Sequence, residues 1–137
     1  MTTGFLTRAR SLFAVCTLAL VGAAATAGPR SDFHPNALEL VRLPKYCQGQ
    51  FRPEMAKDAA YRMPACGGRF NHFCPALVSL NRVEFPFGTD APRDFHLKNA
   101  AGHLKYTTDA MPVSCPLSGA VRAAETRLRI LQMMPAR

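Results

Sequence analysis

Cysteine and histidine are the residues whose chemistry could be specific in this chain. Cys47, Cys66, Cys74 and Cys115 run through its middle, and a fifth cysteine, Cys16, stands in an apolar stretch near the start. Thiols either close disulfides or hold a soft metal. Structural zinc sites pair their cysteines about two to four positions apart, whereas these four are separated by 19, 8 and 41 positions. Two disulfides are therefore expected, since Cys16 would leave with a signal segment and an even number of cysteines would remain in an exported chain.

The histidines give less. His96 and His103 are seven apart, which puts them on one helical face but too far apart to share one ion directly, since helical zinc pairs sit about four positions apart. His72 stands near Cys74, a ligand pair only if that thiol stays reduced. No metal or cofactor site is expected, although a small ligand- or metal-binding role for His72, His96 and His103 is the second reading of the chain.

Catalysis has little to work with. There is no Gly-x-Ser-x-Gly turn, no Cys-x-x-Cys pair and no haem-attachment run. Ser79, Ser114 and Ser118 have no special setting, and Asp90 and Asp94 read as acids at a helix start, where they complement the helix dipole. The chain is not expected to be an enzyme.

The compartment follows from the N-terminus. Arg8 and Arg10 precede an apolar run over 12–20, then small residues over 21–27, with Ala25 and Ala27 set for cleavage after Ala27. This is the layout of a secretory signal peptide. Left uncleaved, 11–27 would be a membrane anchor of 17 residues, at the short edge of what spans a bilayer. Cys16 follows Val15 inside the apolar run, so it is not read as a lipidated cysteine. Removal of 1–27 leaves a single domain over 28–137, with 110 residues, 15 Lys and Arg against 9 acids, and a net charge of +6 in place of +8.

These residues need elements to position them. The stretch 28–70 reads as irregular with two short helices, one over 35–43 with Leu38, Leu40 and Val41 as its apolar side, and one over 53–63. Three longer helices follow over 71–134. The first runs from 71 to 84, with Leu77, Leu80, Glu84 and Phe85 at helical spacing. The second, over 91–110, is capped by Asp90 and carries Phe95, Leu97, Ala101, Leu104 and Thr108 near one face. The third, over 116–134, is capped by Ser114 and striped with Leu117, Val121, Ala124, Leu128 and Leu131. No segment alternates with period two, so the fold class is all-α: a small disulfide-stapled helical hairpin or bundle behind the signal helix. If the helices over 71–84 and 91–110 pack antiparallel, Cys115 returns near both Cys66 and Cys74. It is expected to bond one of them, with Cys47 taking the other.

Ala100, Leu104, Thr107 and Pro112 resemble the second helix of a tetratricopeptide repeat. The wider set of Tyr46-Cys47, His72-Phe73-Cys74-Pro75, Tyr106-Thr107 and Cys115-Pro116 is similar to small exported bacterial helical proteins of poorly known function. That resemblance implies a repeat-like helical hairpin that binds protein segments. The expected role is an exported, non-catalytic interaction module or accessory subunit of an envelope complex, periplasmic or secreted. Phe85, Phe87, Arg122 and Arg129 are its candidate partner surface. The basic last helix could also meet an anionic envelope component. Nucleic acid is not an expected partner, since no aromatic residues interleave with the basic ones, and a membrane enters only through an uncleaved signal segment.

Overall fold

The computed structural model describes residues 34–86 and 91–135. The expected leader over 1–27, the cap at Asp90 and the partner residue Phe87 lie outside them. The described residues are helical with no strand.

The first helix, α1 (Ala37–Val41), starts because Asn36 and Glu39 cap it reciprocally. Asn36 Oδ1 accepts from the Glu39 N–H at 2.9 Å, and the Glu39 carboxylate accepts from the Asn36 N–H at 2.8 Å. Its expected apolar side is not its buried side. Glu39 turns inward to Arg82, which leaves Leu38 and Val41 on the surface.

Pro44 does not simply end a helix; it opens α2 (Lys45–Phe51), its carbonyl accepting from the N–H groups of Cys47 and Gln48. A proline lacks only a donor, which the first turn does not use. The helix expected over 53–63 is instead two single 3-10 turns, Met55–Lys57 and Ala59–Tyr61, because the Asp58 side chain caps Ala60 and restarts the chain there. Gly49 lets α2 meet this segment. A Cβ at Gly49 would collide with the Tyr61 carbonyl.

The centre of the molecule is α3 (Phe73–Glu84), buried on nearly every side. Phe73, Ala76 and Leu80 face one core with α4 (Arg93–Thr108) and α5 (Ser118–Met133). Cys74 and Val78 face a second, smaller core with Leu43 and Cys47. Glu84 and Phe85, expected on the apolar side, are exposed because α3 ends there. In α4 the buried residues are His96, Leu97, Ala100, Leu104 and Thr107, while Phe95 and Thr108 face outward. The stripe is thus rotated from the expected one and runs through Ala100, Leu104 and Thr107. Pro92 stands at the N-cap of α4. Ser114 does not cap α5, which begins after Leu117 with no side-chain cap. The stripe of α5 is as expected, with Val121, Ala124, Leu128 and Leu131 buried.

Two disulfides lock this arrangement. Cys66 bonds Cys115 with a Cα separation of 4.8 Å, and Cys47 bonds Cys74 at 5.3 Å. Of the two pairings left open, the one joining Cys115 to Cys66 is formed. Gly67, the next residue, adopts a φ of 90°, a conformation natural only to glycine. All four bridged cysteines are buried, as suits a chain that matures in an oxidising compartment.

Candidate interaction surface

Three hollows adjoin around the C-terminal ends of α3 and α5. One, about 660 Å³, lies along the outer side of α5 between Arg122 and Met134, with Ala123, Thr126, Arg127 and Ile130 in its wall and Glu84 opposite. It shares Glu84, Leu131 and Met134 with a second of about 620 Å³, bounded by Arg82, Phe85, Pro86, Arg93 and His96. Phe85 in turn borders a small hollow of about 70 Å³ with Leu38, Glu39, Arg42 and Asn81. Large apolar side chains remain open to solvent along this path: Phe85 at 44%, Ile130 at 50% and Met134 at 40%.

Local bonds hold the walls in place. Arg127 donates through Nε and Nη2 to both oxygens of Glu84, each at 2.7 Å, and through Nη2 to Asn81 Oδ1 at 2.8 Å. This fork ties α5 to the end of α3 and neutralises both charges. Arg93 donates to the carbonyls of Leu131 and Met134, closing the C-terminus of α5 where its last carbonyls lack helical partners. Arg42 sits over Phe85, 4.2 Å from the ring centroid, a cation–π contact that leaves the ring 44% exposed.

Behind Phe85, the buried guanidinium of Arg82 donates Nε to Glu39 Oε1 at 2.6 Å and Nη2 to Oε2 at 3.2 Å. Burial pushes the Glu39 carboxyl up. The Arg82 bond, the Asn36 N–H and the charges of Arg82 and His96 outweigh it and hold the carboxyl below its ordinary value of 4.5.

The histidines divide between the two ends of α4. His96 is buried beside the second hollow. His72 and His103 meet near the other end, with Nδ1 atoms 2.9 Å apart and ring centroids 5.2 Å apart. Rings so far apart with nitrogens so close point at each other end on, so one Nδ1–H donates to the other Nδ1. That is a shared proton, not two lone pairs converging on a third atom. Tyr106 packs on His72 at 4.4 Å and Arg69 lies over Tyr106 at 4.5 Å. Burial and the neighbouring charge of His72 hold the His103 imidazole below its ordinary value of 6.5. His72, His96 and His103 are therefore not gathered, and no cluster of three or more His, Cys, Asp or Glu that could hold a metal stands among the described residues.

Of the surface residues read from sequence, Phe85 and Arg122 line these hollows. Arg129 is exposed elsewhere on α5, its Nη2 3.4 Å from Thr126 Oγ1. Ile130, Thr126 and Met134 were not read as surface residues, yet a signal was present. With Ala123 they recur at intervals of three, four and four positions, a second stripe beside the buried one. The chain matches no protein-family model, no curated protein and no solved structure.

Proposed function

We propose that this chain is an exported, disulfide-stabilised helical interaction module, periplasmic or secreted, that acts as a non-catalytic accessory subunit of an envelope complex. The observation that carries the reading is the row of solvent-exposed apolar side chains, Phe85, Met134 and Ile130, along two adjoining hollows. Large apolar side chains left open beside a hollow are where a partner gains most by burial, and here the Glu39–Arg82 pair and the Arg127 fork tie the walls together. Export is supported by the signal layout of 1–27 and by the two buried disulfides. No helix among the described residues is long and apolar enough to cross a membrane. The antiparallel succession of α3, α4 and α5, with Ala100, Leu104 and Thr107 packed inward, suits the tetratricopeptide-like reading of that hairpin.

The test is site-directed photo-crosslinking in intact cells that export the protein. A photoreactive phenylalanine analogue replaces Ile130 in one variant and Val113, in the loop between α4 and α5, in another. A discrete higher-mass protein adduct at position 130 and none at position 113 is expected. Equal labelling at the two positions, or none at either, overturns the reading.

A further inference from the structure

Packing against α3 and α4 requires only one stripe of α5, formed by Val121, Ala124, Leu128 and Leu131. The helix nevertheless carries a second row of Ala123, Thr126 and Ile130, continued by Met134 at its C-cap. Apolar positions at such spacing on an outer face are those a second helix uses as anchors. Ala123 and Thr126 are small, so a backbone can come close at the N-terminal half, while Ile130 and Met134 offer bulk at the C-terminal half. With 16 residues, α5 is about 24 Å long at about 1.5 Å per residue, enough to seat about four turns of a partner.

Charge selects among occupants. Arg127 is neutralised by Glu84, but Arg122, at the open edge of the same hollow, has no acidic partner among the described residues. Arg129, one heptad on, is likewise exposed without one. A second copy of this chain laid on the same edge would set Arg122 and Arg129 against their own counterparts, while Glu84 is already paired with Arg127. Like charges facing across an interface oppose it.

We infer that the occupant of the α5 hollow is an amphipathic helix of a partner protein whose apolar face covers Ala123, Thr126 and Ile130 and whose flank places a carboxylate against Arg122. This rests on the interaction-module reading and adds the chemistry of the partner.

The same photo-crosslink at position 130 tests it, read now by mass spectrometry of the adduct. The crosslinked peptide is expected to be apolar at helical spacing with Asp or Glu on its flank. Arg122→Glu in that background is expected to lower the adduct yield about fivefold, the scale of an exposed charge pair. Lys at the identified partner acid is expected to restore it. An adduct with this chain itself, an adduct with lipid, a peptide without an acid, or a yield unmoved by Arg122→Glu overturns the inference. In the last two cases the module reading survives, whereas the absence of any adduct removes both. Circular dichroism of Arg122→Glu, whose side chain is exposed, confirms that the variant is folded.

Discussion

Glu39 and Arg82, 43 positions apart, form an ion pair of 2.6 Å in which both side chains are buried. It is the bond by which the short helix α1 is held to the central helix α3. An element of five residues has no stability of its own, so its place on the surface depends on this contact and on Leu43 beneath it. Arg82→Ala leaves a buried carboxylate uncompensated and is expected to cost about 3–5 kcal/mol. Urea unfolding followed by circular dichroism measures it. The double change Glu39→Leu with Arg82→Met should recover most of the loss, because a buried pair replaced as a unit by apolar side chains is nearly neutral.

Acid should loosen the same contact. The Glu39 carboxyl titrates below 4.5 in the folded protein, so its contribution is present above the unfolded value and disappears as the pH falls through the lower folded one. Between pH 5 and pH 3 the urea midpoint is expected to fall more in the wild type than in Glu39→Gln. Parallel curves for the two proteins would refute this.

The His72–His103 contact predicts a second, milder pH dependence. Because the His103 imidazole is held below 6.5, the unfolded chain takes up a proton there before the folded chain does. Stability is therefore full above that value and declines as the pH drops from about 7 towards 5. The thermal midpoint of His103→Gln should be flatter across this window than that of the wild type. Nuclear magnetic resonance titration of the His103 ring should show a midpoint below that of an exposed histidine.

Reduction should act through loop size. The bridges close loops of 27 and 49 residues, each worth about 3–4 kcal/mol in restricted unfolded-chain freedom. Replacing both Cys66 and Cys115 by alanine is expected to cost roughly 0.5 kcal/mol more than replacing Cys47 and Cys74, by the logarithm of loop length. Denaturant midpoints of the two double variants decide it.

Gly49→Ala should be among the harshest single changes in the chain. The added methyl meets the backbone of Tyr61, which cannot turn aside as a side chain end could. A loss of about 1–3 kcal/mol is expected from overpacking alone, again read from the denaturant midpoint.

Sequence patterning carried the long helices well where one face decides the outcome. The stripe of α5 needs no tertiary information, since Val121, Ala124, Leu128 and Leu131 stand among charged residues. It placed α3 but not the extent of its burial, because that helix is enclosed by two cores and has no single apolar face to read. It also misplaced the face of α4, where a buried histidine and threonine, His96 and Thr107, take positions that an apolar count assigns to neighbours. The 45–51 helix was hidden because Pro44 terminates and initiates with equal chemistry, and only the burial of Cys47 beside Cys74 decides between them. The surface fared likewise. Phe85 could be read as exposed from the break after it, but the hollow along α5 depends on how far Arg127 reaches to Glu84, which is a property of the assembled helices.

The two disulfides interleave: Cys66 falls inside the loop closed by Cys47 and Cys74, and Cys74 falls inside the loop closed by Cys66 and Cys115. A single protease cut anywhere between Cys47 and Cys115 therefore leaves one covalent molecule. The protection stops at Cys115. Of the three long helices, α5 alone lies beyond the last crosslink, retained by packing, by the Thr108–Glu125 hydrogen bond and by the bonds of Arg127 and Arg93. A nick between Cys115 and Ser118 would sever the only covalent tie to the helix that carries the outer hollow.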